Sequence, residues 1–373
     1  MKTHLTGRAL ANFQTLLLEW FRAHQRDLPW RASRDPYRIW VAEVMLQQTR
    51  IAAVMPYYQG FLDRFPNVGS LARAPQAEVL KLWSGLGYYS RARNLHAAAK
   101  QIVARYGAQF PREMSAALEL PGIGVYTAAA VLSIAYDAPL AVLDGNVARV
   151  LARICAIGGD LRAPKTWSLL TSTANRVLAR DAASDWNQSL MELGEVVCTP
   201  QSPRCGICPV AHRCRAHAKG LVNEIPAPRR KRAPVHVKIA AAILFDSRGR
   251  TLLVKDPGAH DGVLFSRMWQ FPAIEVTHQP KAALTAHLGA TLNLPADALE
   301  LEALPAAHHG VTFRNIALLP FLARVRQLPK LPRARILPLA NLAKLPISSA
   351  TRKIAAAATA ATALVPKDSA ITR

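Results

Sequence analysis

Residues Leu118–Tyr136 read LELPGIGVYTAAAVLSIAY. Within them, Leu120-Pro121-Gly122-Ile123-Gly124 sets two glycines around one apolar residue, a pattern that permits a tight turn between helices and a close approach of backbone to another molecule. Beyond the turn, Ala128, Val131, Leu132 and Ala135 recur at i, i+3, i+4 and i+7, which predicts a helix with one buried face. Backbone N–H groups at the start of that helix can hold a phosphate. A Gly-x-Gly turn by itself is more often structural than functional, so its meaning depends on its surroundings.

Eighteen residues after Tyr126, AVLDGNVARVLARI puts Asp144 in a polar turn between an apolar run and a further helix. An isolated aspartate there caps the helix that begins near Asn146. Farther on, VVCTPQSPRCGICPVAHRCRAH carries Cys198, Cys205, Cys208 and Cys214 with the spacing C-x6-C-x2-C-x5-C. Four thiolates so crowded suit a metal centre in a reducing compartment better than a disulfide framework, and both zinc and a four-iron four-sulfur cluster accept such a set. The fifth cysteine, Cys155 in VARVLARICAIGG, reads as a small core residue.

The hairpin, the aspartate after it and the cysteine spacing together resemble the endonuclease III and MutY DNA glycosylases. That resemblance selects one 4Fe-4S cluster over zinc at the four cysteines, and implies that Gly122 and Gly124 approach DNA while Arg204, Arg213 and Arg215 stand near its phosphates. Upstream, VAEVMLQQTR and DLPWR (Asp27–Arg31) are similar to the MutY branch. Read alone, Glu43 is a helical glutamate whose neighbours Trp40, Val44 and Ile51 are partly buried, so desolvation raises its pKa. The resemblance implies that Glu43 protonates adenine and that Asp144 stabilises or traps the sugar cation, a division of labour parallel to glycoside hydrolysis.

Tyr126 stands where the endonuclease III branch has the lysine that forms a Schiff base, and a phenol cannot supply that amine. A monofunctional glycosylase is therefore expected, with Tyr126 and Asn146 positioning the water or the sugar intermediate. The target base must leave the stack before it reacts. By resemblance, Gln48 and Tyr88 intercalate, while Arg26, Leu28, Trp30 and Arg31 line the adenine pocket.

The chain has 373 residues, 51% of them hydrophobic, which is enough for two domains. Its formal charge of +23 points to a polyanionic partner, nucleic acid first. The partner implied is double-stranded DNA holding adenine opposite 8-oxoguanine or guanine, bound by a monomer. MKTHLTGRAL lacks the apolar core of a secretory signal and no run of about 18 apolar residues suggests a membrane span, so a cytoplasmic, nucleoid-associated protein with no membrane partner is expected.

ANFQTLLLEWF, YRIWVAEVMLQQTR and PQAEVLKLWSGLG read as helices of an all-α domain over 1–219. GLVNEIPAPRRKRAP, 220–234, reads as an exposed linker whose Arg229, Arg230, Lys231 and Arg232 touch phosphate or are merely solvated. VHVKIAAAILFD, SRGRTLLVKD and VTFRNIALLPFLARV then announce a mixed domain over 235–373, with a helical start to the tail from Ile354. Met268-Trp269-Gln270-Phe271-Pro272 and Glu275 resemble the approach to a Nudix box, but KAALTAHLGATL has none of the glutamates that hold magnesium, which opposes nucleotide hydrolysis.

The resemblance implies a silent Nudix-like module that recognises 8-oxoguanine. Where bacterial members carry a Phe-Ser-His loop, this chain has Val311-Thr312-Phe313: Thr312 keeps a hydroxyl, and His308 and His309 lie just upstream as loop residues. The fold expected is multidomain, an all-α helix-hairpin-helix glycosylase domain with an iron–sulfur loop plus an α+β Nudix-like C-terminal domain. An endonuclease III-like pyrimidine glycosylase/lyase is opposed by Tyr126 and the extra domain. A non-catalytic iron–sulfur DNA-binding protein is opposed by Glu43 and Asp144.

Overall fold

The computed structural model describes residues 4–227, 233–255, 268–295, 299–311 and 313–363; Thr312 and the basic run Arg229–Arg232 lie outside the described residues. The described residues of Met1–Ala74 and Tyr88–Arg230 form one compact unit, and those of Pro75–Gly87 and Lys231–Arg373 form a second. The first unit is helical: α1 Gly7–His24, α2 Pro36–Leu46, α3 Ile51–Arg64 and α4 Val68–Arg73, then, after α5 Gln76–Leu82 of the second unit, α6 Tyr89–Tyr106, α7 Met114–Leu118 and α8 Val125–Tyr136. It continues with α9 Gly145–Cys155, α10 Pro164–Val177, α11 Ala183–Val196 and α12 Arg215–Ala218.

Two of the helices that build the site start at side-chain caps. Asp35 accepts from Tyr37 N ahead of Pro36 at the start of α2, and Asp144 accepts from Val147 N at the start of α9. α1 lays Phe13 and Leu17 against Val147, Leu151 and Ile154 of α9 and Trp186, Leu190 and Leu193 of α11. Phe13 meets Trp186 edge to face, with ring centroids 5.4 Å apart. Burying each such side chain contributes about 1.5–3 kcal/mol. Cys155 lies in this core as a buried small residue.

α8 is buried all round from Thr127 to Ala135, which includes the predicted face of Ala128, Val131, Leu132 and Ala135. Its Ser133 accepts from Asn187 Nδ2 of α11 (2.8 Å), which also donates to Leu140 O (2.8 Å), while Asn187 Oδ1 accepts from Val142 N (3.1 Å). One buried amide thus satisfies the extended chain that carries Asp144 into place. The start of the segment read as an exposed linker is packed instead: Leu221 and Val222 rest on the helical core, Ile225 is buried, and Arg153 Nε donates to Ile225 O at 2.8 Å.

The second unit is a mixed sheet between helices. Its elements are β1 Val235–Phe245, β2 Arg250–Lys255, β3 Trp269–Gln270, β4 Ala273–Val276, α13 Pro280–Leu292, β5 Glu302–Ala303, β6 Ala307–Val311, β7 Arg314–Arg324, β8 Ala334–Pro338 and α14 Ser349–Ala363. β1 and β7 pair in parallel from Val235↔Arg314 to Phe245↔Arg324, and Trp269 of β3 makes a single parallel bridge to Ile347; the other strand pairings among the described residues are antiparallel.

Alternation along β1 sends Val237, Ala241, Ile243 and Phe245 toward Ile354 and Ala358 of α14, and Ala240, Ala242 and Leu244 toward Leu284 and Leu288 of α13. Covered on both faces, the strand is a nearly continuous apolar run. α5 belongs here through its flank: Ser84 Oγ donates to Ile347 O (2.8 Å) and accepts from Arg352 Nη2 (2.7 Å). His308 and His309 are strand residues, not loop residues, because β6 pairs with β7 from Ala307↔Leu318 to Val311↔Arg314. Among the described residues no helix is long and apolar enough to cross a membrane.

Candidate active site and cysteine loop

α2, α8, α9 and α11 of the helical unit enclose a cavity of about 370 Å³, within the range of small-ligand sites. Arg26, Leu28, Trp30, Arg31, Glu43, Gln48, Tyr126, Asp144 and Asn146, nine residues singled out from sequence, all line it.

Glu43, on the third turn of α2, is buried and accepts a hydrogen bond from Tyr126 Oη at 2.9 Å. Burial pushes its carboxyl up to about 7, against the lowering effect of the Tyr126 hydroxyl and with a further rise from the charge of Asp144. Burial also raises Asp144, opposed by the backbone amides of Val147 and Asn146, and holds the Tyr126 phenol well above its ordinary range. The arrangement can keep one acid protonated near neutrality beside a second carboxyl and a neutral phenol.

Arg26 and Arg31 are not free forks. Both grip Glu192 of α11, a buried carboxylate: Arg26 Nε and Nη2 reach its two oxygens at 2.6 and 2.9 Å, and Arg31 Nη2 reaches Oε2 at 2.8 Å. Burial alone would raise the Glu192 carboxyl, but the two guanidinium hydrogen bonds outweigh it and hold the group below its usual value. Asn146 accepts from Arg149 Nη2 (3.0 Å) and donates to Glu195 Oε2 (3.4 Å). The backbone of α11 comes close at Gly194, where a Cβ would lie 2.8 Å from Asn146 Cβ. Glu192, Gln188, Met191 and Glu195 also line the cavity, and none of them was singled out from sequence.

Gly122 sits at φ 76, and a Cβ there would stand 2.6 Å from Asn94 Cβ and 2.9 Å from Asn94 Nδ2. Gly124, at φ −97, has open space around it. Gly122→Ala is expected to cost about 2 kcal/mol or more of folding stability, because a left-handed residue and a clash combine. Gly124→Ala, at the N-cap of α8 but clear of any clash, should lower the denaturation midpoint less than Gly122→Ala and weaken duplex binding; equal midpoints for both variants in urea titration would remove the steric argument.

The four cysteines line a single pocket with Val150, Arg153 and Val210. Burial pushes Cys208 up to about 12 and raises Cys205 and Cys214, so thiolates there need cations to persist. Four thiols lining one pocket are the donor set that a 4Fe-4S cluster takes.

α9 secures the loop. Arg153, buried, donates from Nη1 to Cys198 Sγ (3.3 Å) and Thr199 O (2.7 Å), and Arg149 Nε donates to Cys198 O (2.8 Å). The helix capped by Asp144 is therefore the helix that holds the loop, and its arginines at i and i+4 in VARVLARI were the unread signal. Arg204 spends its guanidinium on Val196 O and Arg213 on Asn12 Oδ1, so neither is as available to phosphate as expected.

In the second unit Phe313 and His309 are partly buried near the β6–β7 turn, and Lys353 Nζ of α14 donates to His308 O at 2.5 Å. Burial foremost, then the charge of Lys353, lowers the His309 imidazole, which favours its neutral form.

Residues 41–173 match the model of the HhH-GPD superfamily of base excision DNA repair proteins, and 198–214 match the iron–sulfur binding domain of endonuclease III. The chain is 36% identical over 327 residues to the adenine DNA glycosylase of Mus musculus, covering 73% of this chain and 63% of that protein. It is 44% identical over 216 residues to that of Homo sapiens, covering 56% and 40%. The chain thus spans less than two thirds of these relatives' length. A thermostable thymine-DNA glycosylase superposes with a TM-score of 0.51 at 28% identity, covering 56% of this chain and 97% of that one. The match to a 4Fe-4S domain runs from Cys198 to Cys214, and over residues 41–173, which carry the hairpin, Glu43 and Asp144, the chain belongs to the HhH-GPD superfamily of base excision DNA repair proteins.

Proposed function

We propose that the protein is a monofunctional adenine DNA glycosylase, acting on adenine opposite 8-oxoguanine or guanine in duplex DNA in the cytoplasm, at the nucleoid, as a monomer. The observation that carries the reading is Glu43, buried, bonded to Tyr126 and raised to about 7, in one cavity with Asp144. The Glu43 carboxyl gives its proton to a ring nitrogen of the flipped adenine. The glycosidic C–N bond then breaks with its electron pair passing to the base. Asp144 faces the oxocarbenium left on the sugar with negative charge. A water adds its oxygen to the sugar carbon and returns a proton to Glu43, leaving free adenine and an abasic site. Tyr126 and Asn146 hold the reacting groups in place, and Gln48 and Tyr88 fill the gap in the stack. The cluster, when bound, cross-links the loop that Arg149 and Arg153 secure and supplies no step of hydrolysis.

The boundaries proposed are 1–219 for the glycosylase domain, 220–234 for the linker and 235–373 for a Nudix-like module. His309, Thr312 and Phe313 of that module would read the oxidised base. The absence of acidic side chains from α13 supports recognition over nucleotide hydrolysis. The test is single-turnover reaction of a duplex with one adenine opposite 8-oxoguanine or guanine, with and without hot alkali. Strand breaks confined to alkali-treated samples are expected, faster for 8-oxoguanine. Breaks without alkali would favour a lyase, and tight binding without adenine release would favour the non-catalytic alternative.

A further inference from the structure

Gln48 and Tyr88 share one cavity of about 250 Å³ beside the hairpin, lined also by Asn94, Pro121 and Gly122. Both have left-handed backbone, φ 57 and φ 47, a conformation that non-glycine residues keep only where their surroundings impose it, commonly at functional sites. The surroundings here centre on Arg91, near the start of α6 and buried. Its Nη1 donates to Val44 O (3.0 Å), Met45 O (2.8 Å) and Gln47 O (2.5 Å), and its Nη2 donates to Thr49 Oγ1 (3.1 Å). The guanidinium also stacks 5.2 Å from the Tyr88 ring centroid. Its carbonyl partners lie at and just past the C-terminal end of α2, where the helix dipole favours a cation and where Glu43 sits one residue before Val44.

We propose that Arg91 is the positioning residue that holds Gln48 and Tyr88 together as one wedge and ties that wedge to the Glu43 helix, so that extrusion of the base and its arrival at Glu43 depend on one buried guanidinium. The proposal rests on the glycosylase reading above. Without Arg91 the carbonyls at the end of α2 lose their shared donor, the Gln48 turn relaxes toward ordinary backbone, and Tyr88 loses its partner. A lysine has a point charge where the site needs a planar fork bridging three carbonyls and a hydroxyl. Extrusion should suffer more than the chemistry of a base already out of the stack.

The test compares native protein with Arg91→Met, Arg91→Lys and Thr49→Val, circular-dichroism melting checking the fold. The fluorescence of 2-aminopurine placed opposite 8-oxoguanine reports unstacking on binding. Single-turnover adenine release is measured from the paired duplex and from a duplex with the adenine in an unpaired bulge, where unstacking costs less. Arg91→Met is expected to reduce the fluorescence rise and slow the paired duplex about tenfold or more, but the bulge less than about threefold, with Arg91→Lys restoring little. Thr49→Val, which removes one link and no charge, should move the same way by a smaller factor and carries the test if Arg91→Met does not fold. Equal slowing on both duplexes, or an unchanged fluorescence rise, overturns the proposal. If native protein unstacks 2-aminopurine yet releases adenine from neither duplex, the glycosylase reading fails, while the fluorescence series still decides the role of Arg91.

Discussion

Glu43→Gln is expected to slow adenine release by about 10²–10⁴-fold while leaving duplex affinity within about threefold. Glutamine nearly matches glutamate in volume and its carbonyl still accepts from Tyr126 Oη, so the contacts of α2 survive and only the transferable proton is lost. The native pH profile follows from the sign of the shift. Burial is the largest influence and raises Glu43 to about 7, so the active, protonated form dominates below that pH and its fraction falls tenfold per unit above it. Rates should decline on the alkaline side as Glu43 loses its proton and on the acid side as Asp144, which burial also raises, gains one. The Tyr126 hydroxyl lowers this pKa, so Tyr126→Phe should move the declining limb to higher pH; the charge of Asp144 raises it, so Asp144→Asn should move the limb lower. Single-turnover rates from roughly pH 5 to 9 measure all three. A native rate that climbs with pH across this range would make Glu43 a base and end its assignment as the acid.

The residues legible in the sequence were those tied to short motifs. Glu43, Tyr126 and Asp144 converge on one cavity, and the cysteines on one pocket, as spacing and resemblance implied. What escaped was long-range pairing of charges. Glu192 lies off the Trp186, Leu190 and Leu193 stripe of α11, so helical periodicity assigns it to solvent, yet its side chain is 1% exposed because Arg26 and Arg31, more than 160 positions earlier, satisfy both oxygens. A buried carboxylate exists only with such partners, and nothing local in MELGEVV announces them.

Arg91 is the same case: its acceptors are backbone carbonyls more than 40 residues away, which carry no sequence signature. Periodicity likewise predicted a buried face for α5 without saying what buries it, and that helix belongs to the second unit. His308 and His309 read as loop residues because flanking glycine and polar residues mask a strand that β7 completes across the sheet. The start of α14 was available and missed, since Ser348 Oγ accepts from Thr351 N (3.0 Å) in the manner of an N-cap, six residues before the predicted start at Ile354.

Asp144 allows its two roles to be separated by two substitutions. Its side chain caps α9, Oδ1 accepting from Val147 N at 2.7 Å, and α9 carries Val147, Leu151 and Ile154 of the main helical core. Asparagine caps a helix about as well as aspartate, whereas alanine costs about 1 kcal/mol. Asp144→Asn should therefore keep the urea midpoint near the native value, and Asp144→Ala should lower it. Activity sorts the variants differently. Both remove the negative charge that in the proposed reaction faces the sugar cation, and the loss of one such electrostatic partner costs about 10²–10³-fold, so both should fall that far in single-turnover adenine release. If release instead tracked the midpoint, with Asp144→Asn nearly as active as native protein, Asp144 would be a helix cap and the sugar cation would need another source of charge. The nearest carboxylates in the cavity could not easily supply it: Glu192 is committed to Arg26 and Arg31, and Glu195 accepts from Asn146. Among the described residues lining the cavity, Glu43 is held by Tyr126 and the two α11 carboxylates by side chains of other elements, whereas Asp144 accepts from the start of its own helix, so in the proposed reaction its charge is the one left to act on the sugar.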